Sequence, residues 1–304
     1  MVTDLGLHEA TFRALGSRCR IVADIERPVH AAVHRLEDLE ARWSRFIPTS
    51  EVSTLNMLAG EWMEVSEVTH LLVRRAAEAR HRTDGVMNPL LLNELIACGY
   101  DRSHEKLVSA IGTMPTSQSE VAGAAPHIEV GDIALESGRV RIPSGVAFDP
   151  GGVGKGLAAD LVMDDLLDAG VTWAMVSLGG DLRFGGADLA DHGCETHIED
   201  PYDRGSVWGT IRVRGGAVAT SSTLSRRWAH AGRMQHHLLD STSGRPFEGP
   251  RVAATVHADE GWWADVVAKT LVLDTAVGNE QLAEWGARAL VFESHGAANF
   301  GLLA

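Results

Sequence analysis

Apolar positions recur at helical spacing in two early stretches. Over residues 28 to about 43, opened by Pro28, the side chains of Val33, Leu36 and Leu39 share one face. Over residues 66–82, Val68, Leu71, Leu72, Ala76 and Ala79 do the same, and Thr83-Asp84-Gly85 supplies the stop. Residues 11–23 read as a strand broken by Gly16, and Ser50 and Ser53 flank a turn around Glu51-Val52. From 104 to 147 the chain is loop-rich, with short strands such as Val140-Arg141-Ile142. Helical spacing returns over residues 157–169, followed by a strand over 173–178 that runs into Gly179-Gly180. Short strands dominate from 208 to 256, among them Thr210-Ile211-Arg212-Val213 and His237-Leu238-Leu239. Two helices, over about 262–274 and 279–287, then precede a last strand at 289–292. Strands and helices mix without a βαβ rhythm, which predicts an α+β fold. With no internal repeat and no low-complexity linker, residues 1–304 read as a single unit.

Composition narrows the partners. With 45% hydrophobic and 22% charged residues the chain has the make-up of an ordinary globular protein, large enough to bury a substantial core. Its formal charge of −14, with no block of Lys and Arg, argues against nucleic acid and anionic membranes as partners. A small anionic ligand stays open, since local donors outweigh a distant net charge. Cys19, Cys98 and Cys194 show no C-x-x-C spacing and are odd in number, so a reducing compartment is expected. The N-terminal residues lack a basic region followed by an apolar one, and no run reaches a membrane-spanning length, so the reading is cytoplasmic.

Candidate chemistry concentrates in FDPGGVGKGLAAD, residues 148–160. A glycine-rich turn at a helix start presents unpaired backbone N–H groups to an anion. It is not a nucleoside-triphosphate loop of the G-x-x-x-x-G-K-[ST] kind, because Asp149 stands where that motif needs glycine and Gly156 where it needs a hydroxyl. The fingerprint G-x-G-x-x-G also fails from Gly151 or Gly152. Further polar or glycine-rich islands lie at WSRFIPTSEVSTLN (43–56), TDGVMNPLL (83–91), AVATSSTLSRRW (217–228), HHLLDSTSGRP (236–246) and WADVVAKT (263–270).

In this order and spacing the islands resemble the ApbE family, flavin transferases that use FAD to attach FMN to a protein threonine. The resemblance runs from about residue 11 to 292 and implies an α+β, T-fold-like mixed sheet and helix architecture. The family pattern D-x-G-G-x-x-K-G-x-A-x-D is filled by Asp149, Gly151, Gly152, Lys155, Gly156, Ala158 and Asp160. The resemblance implies that Asp149 and Lys155 contact the flavin nucleotide and that the Gly152 carbonyl helps hold a magnesium ion. His237 falls on the histidine of H-[IL]-[IL]-D-P-x-T-G, which makes it the candidate general base, with Leu238 beside it at the nucleotide. His236 alternates to the other side and is the lesser candidate. Leu15 stands at the methionine of A-M-G-T, against the isoalloxazine; Phe46 matches an aromatic position that stacks on it; Val86, Met87 and Asn88 match the segment bordering the nucleotide.

Departures cluster at the metal motif A-D-x-x-x-T. Asp265 is present, but Lys269 replaces the threonine, and Thr270 sits one position late, about 100° round a helix. Asn88 replaces an acidic residue, Ser222 a glycine and Ser241 a proline. The expected reaction is transfer of FMN from FAD to a threonine of an acceptor protein, releasing AMP. Hydrolysis of FAD to FMN and AMP, and flavin binding without catalysis, stay open. Magnesium is either retained weakly through Asp265, Gly152 and Thr270 or replaced by Lys269.

Overall fold

The computed structural model describes residues 6–103, 107, 131–203, 205–294 and 296–302. Part of the loop-rich stretch expected over 104–147 lies outside the described residues. The chain opens with β1 (His8–Ala14), β2 (Ser17–Ala23), α1 (Glu26–Trp43), α2 (Glu51–Met57), β3 (Met63–Glu64), α3 (Glu67–Arg82) and α4 (Leu92–Ala97). After β4 (Ala134–Glu136) and β5 (Arg139–Arg141), a 3₁₀ turn at Pro150–Gly152 leads into α5 (Gly154–Asp168). Then come β6 (Ala174–Leu178), β7 (Asp181–Gly185), α6 (Ala187–His192), β8 (Cys194–Glu199), β9 (Val207–Val213) and β10 (Gly216–Ser222). The last part holds β11 (Arg227–His230), β12 (Arg233–His236), β13 (Arg251–Ala258), α7 (Gly261–Leu273), α8 (Asn279–Glu284), β14 (Arg288–Glu293) and β15 (Gly296–Phe300).

Eight strands form one sheet in the order β1-β2-β6-β7-β10-β13-β14-β15. Each neighbouring pair runs antiparallel. Period-two alternation sends side chains of one strand to two different cores. Ala217 and Ala219 on β10 and Val291 on β14 face the layer of α1, α3, α5 and α7. Val218, Leu290 and Phe292 face the opposite side, where Leu189 of α6 and Ile198, Ile211 and Val213 of the β8–β9 hairpin cover them. The mixed α+β architecture expected from the sequence is the one observed.

Two contacts fix the helix layer next to the 148–160 segment. Gly156 of α5 meets Gly261 of α7 backbone to backbone, and a methyl group on Gly156 would stand 2.3 Å from the Gly261 carbonyl oxygen. The Asp160 carboxylate accepts from the N–H groups of Gly261 (2.7 Å) and Trp262 (2.9 Å), satisfying the first turn of α7. These two residues of the glycine-rich motif therefore hold helices together rather than a ligand.

Several boundaries differ from the sequence expectation for local reasons. α1 starts two residues before Pro28, which is tolerated because first-turn N–H groups have no intrahelical partner. The turn expected at Ser50–Ser53 is the start of α2, with Ser50 Oγ accepting from Ser53 N–H at 3.0 Å. α5 begins at Gly154 instead of 157, bringing Lys155 onto the helix. The strand expected at His237-Leu238-Leu239 is absent: β12 ends at His236 and only Leu239 bridges, to Pro246. The break at Gly16 is a two-residue hairpin loop, Leu15-Gly16, closed by Ala14 opposite Ser17.

Candidate functional site

One cavity of about 360 Å³ opens where loops at the sheet's edge meet the starts of the helices. Of the residues singled out in the sequence, Leu15, Phe46, Val86, Met87, Asn88, Asp149, Gly152, Lys155, His237 and Leu238 all line it. Asp265 lies directly behind, in contact with two lysines of its wall. Thr270 does not join: its hydroxyl donates to the Val266 carbonyl at 2.9 Å on its own helix. His236 is turned away as expected, with Nε2 3.0 Å from the Phe247 carbonyl oxygen.

Backbone geometry builds the floor. Asn56 holds Phe148 from both sides, accepting from its N–H (2.7 Å) and donating to its carbonyl (2.9 Å). Asp149 N–H donates to the Pro89 carbonyl at 2.8 Å, tying the 3₁₀ turn to the 86–91 segment. A side chain at Gly152 would collide with Met87, its methyl carbon only 2.0 Å from Met87 Cε. α5 then starts at Gly154 with Val153 as N-cap and no side-chain acceptor on its first-turn N–H groups, so this end of the helix offers donors to an anion.

Charge is concentrated at the same end. Lys155 Nζ is in hydrogen-bond contact with Asp181 and lies 3.5 Å from Asp265 Oδ2. Asp181 also accepts from Thr220 N–H at 3.0 Å, which fixes its carboxylate. Lys269 Nζ donates to Asp265 Oδ1 at 2.5 Å and to the Gly152 carbonyl at 3.3 Å. Burial disfavours the Lys155 charge, but Asp181 and Asp265 together raise its pKa above the ordinary lysine value. For Asp265 burial is again opposed and outweighed, here by Lys155 and Lys269, and its pKa lies below the usual carboxylate value. Lys269 moves down: burial and the nearby Lys155 prevail over the attraction of Asp265. Arg226, also in the cavity wall, adds a third positive group near Lys155 and Asp265.

His237 borders this cluster. Burial first, then the positive Arg226 and Lys269, push its pKa well below the ordinary value of 6.5, so the imidazole is neutral at pH 7. Its Nδ1 is buried and has no hydrogen-bond partner among the described residues. His236 and His257 are shifted down too, mainly by burial. A histidine with a depressed folded pKa takes up protons more readily when unfolded, so stability is present above the unfolded pKa and lost as pH falls through the interval beneath it. Denaturant midpoints should therefore be lower at about pH 5.5 than at about pH 7.5, a window set by these three histidines.

Aromatic rings of Phe46 and Tyr100 form another part of the cavity wall, around Arg45. Arg45, which the sequence reading passed over, has both terminal nitrogens 3.0 Å from the Tyr100 carbonyl and Nε 3.5 Å from Asp149 Oδ1. Its guanidinium lies 4.2 Å from the Phe46 ring centroid and 4.8 Å from that of Tyr100, which stacks on Trp228. Leu15 faces this region from a strained position. Its φ of +52, followed by +63 at Gly16, is a type I′ turn, where asparagine or glycine is normal and leucine is not. Leu15→Asn should stabilise the protein by about 1 kcal/mol, read as a higher midpoint in thermal unfolding.

The lysine pair decides whether a divalent ion fits. Asp265 Oδ1 and the Gly152 carbonyl, two of the oxygens expected at a metal, are both engaged by the Lys269 ammonium, and Thr270 is turned to its own helix. Among the described residues no three His, Cys, Asp or Glu side chains group as metal ligands. The arrangement as it stands does not fit magnesium.

Helix-start donors, cations and aromatic rings thus share the wall of one cavity, chemistry suited to an anionic ligand that carries a ring. A family model described as the ApbE family matches residues 15–291, and this chain belongs to that family. It is 28% identical over 260 residues to the FAD:protein FMN transferase of Rhodobacter capsulatus, covering 82% of this chain and 47% of that protein. The chain thus spans about half the length of that curated relative. With the FAD:protein FMN transferase of Vibrio cholerae it shares 25% identity over 249 residues, 78% of this chain and 70% of the other. The crystal structure of the ApbE protein of Thermotoga maritima superposes with a TM-score of 0.78 at 25% identity, covering 97% of each chain. The Vibrio cholerae flavin transferase ApbE has the same fold, with a TM-score of 0.73 at 21% identity and 96% of each chain covered.

Proposed function

We propose that this protein transfers FMN from FAD to a threonine hydroxyl of an acceptor protein and releases AMP. In this reading the isoalloxazine lies against Leu15 and Phe46, with Val86, Met87, Asn88 and Leu238 along the nucleotide. The diphosphate meets the start of α5, Lys155 and the flank of Asp149. The threonine oxygen forms a bond to the FMN phosphorus as the bond from that phosphorus to the bridging oxygen breaks. AMP leaves with the bridging oxygen, and the hydroxyl proton passes to the neutral His237 imidazole. Lys155, Lys269 and Arg226 balance the charge that spreads over the phosphoryl oxygens.

The observation that carries this reading is the convergence of a neutral, half-buried histidine with three cations at the start of a helix that lacks a side-chain cap. Names of the relatives agree with it, since those cited are FAD:protein FMN transferases. We read residues 1–304 as one transferase unit, and the three free cysteines fit a reducing, cytoplasmic setting. Among the described residues no helix is long and apolar enough to cross a membrane.

The test is to incubate the purified protein with FAD and a threonine-bearing acceptor and to examine a denaturing gel. A fluorescent covalent band on the acceptor supports the proposal. FMN and AMP released without any band would assign hydrolysis instead, and bound but unchanged FAD would assign a carrier.

A further inference from the structure

We infer that Lys269 is a built-in cation standing where a divalent ion would bridge protein and diphosphate, so that this protein binds and cleaves FAD without magnesium. The inference rests on the cavity being an FAD site, as proposed above.

Position 269 lies four residues after Asp265 on α7, so the two side chains share one helix face. On an exposed helix such a pair would be an ordinary surface contact. Here both groups are buried, Asp265 2% and Lys269 7% exposed, and the ammonium reaches a carbonyl on a different segment, Gly152. A buried ammonium is kept only where acceptors hold it. An ammonium carries three N–H donors. Two are spent on Asp265 Oδ1 and the Gly152 carbonyl, and Lys269 also lines the cavity, so the remaining donor can serve a phosphate oxygen there.

The neighbours make replacement by a metal ion harder. Asp265 Oδ2 faces Lys155 at 3.5 Å, so both oxygens of the one carboxylate are already opposite ammonium groups. A divalent ion entering between Asp265 and Gly152 would have to expel the Lys269 ammonium and then share the carboxylate with Lys155.

FAD affinity, measured by flavin fluorescence with EDTA and with added magnesium, tests this on the intact protein. For the unmodified protein the two affinities should agree within about twofold. Lys269→Thr, which restores a hydroxyl four residues after Asp265, should bind FAD about tenfold or more weakly in EDTA, the effect of one lost charged hydrogen bond. Magnesium should restore its binding, and manganese resonance should show a bound ion in the variant and not in the parent. An unmodified protein whose affinity rises about tenfold with magnesium overturns the inference, and that arm stands even if the variant fails to fold. A variant that binds FAD in EDTA as tightly as the parent also overturns it. If neither protein binds FAD under either condition, the flavin reading itself falls.

Discussion

Replacing His237 with alanine should lower FMN transfer by about 10²–10⁴-fold, the usual contribution of a positioned general base, while FAD affinity stays nearly unchanged. The split follows from position. In the proposed reading the diphosphate meets Lys155, Lys269 and the start of α5, whereas the imidazole is neutral and its buried Nδ1 has no partner among the described residues. Burial, then Arg226 and the lysines nearby, keeps the ring unprotonated, which is the state a base needs. The rate should therefore hold as pH falls from neutrality through 6.5 and decline only at more acid values, because the protonated, inactive form appears only below the depressed pKa. Stopped-time transfer assays across pH, on parent and variant, would show both effects.

Asp265→Ala should be among the most damaging substitutions for stability, costing about 3–5 kcal/mol, because it leaves charges buried without their partner. In the native protein the carboxylate touches Lys155 and Lys269 from its two oxygens. Without it, Lys155 keeps its contact with Asp181 and Lys269 is left with the Gly152 carbonyl, an acceptor without charge. Denaturant unfolding reads the loss. FAD should stabilise the variant more than the parent, since the diphosphate supplies the missing negative charge, a difference visible as a larger ligand-induced rise in melting temperature.

Much of this arrangement was legible in the chain because the islands carrying it are local. Glycines, a lysine and an aspartate within 148–160 announce a turn into a helix, and the 3.6-residue patterns of α1 and α3 follow from apolar spacing alone. Six-residue helices such as α4 and α6 are too short for a period to emerge. The cavity's remaining polar groups needed the fold. Asp181, just after Gly179-Gly180, looks like the end of a strand turn until the sheet brings it to Lys155. Arg45 and Arg226 lie inside islands already marked, yet nothing in their spacing says that one stacks on Phe46 and Tyr100 and the other approaches His237. In the 148–160 motif, Gly156 and Asp160 turned out to serve the α5–α7 packing, a role no single-segment reading separates from ligand binding.

Lys269 is the residue where local and tertiary readings differ most. Along the helix it is a lysine four positions from an aspartate; in the fold it also reaches Gly152, 117 residues earlier in the chain. That contact puts an ammonium at the carbonyl to which the family resemblance assigns a metal ion.

A crystal of the protein soaked with FAD in the presence of EDTA tests the central claim most directly. Diphosphate oxygens are expected within hydrogen-bond distance of Lys155 Nζ and Lys269 Nζ at the start of α5, with the flavin ring against Leu15 and Phe46 and His237 facing the FMN phosphorus. Flavin bound in the reverse direction, or outside this cavity, would contradict it.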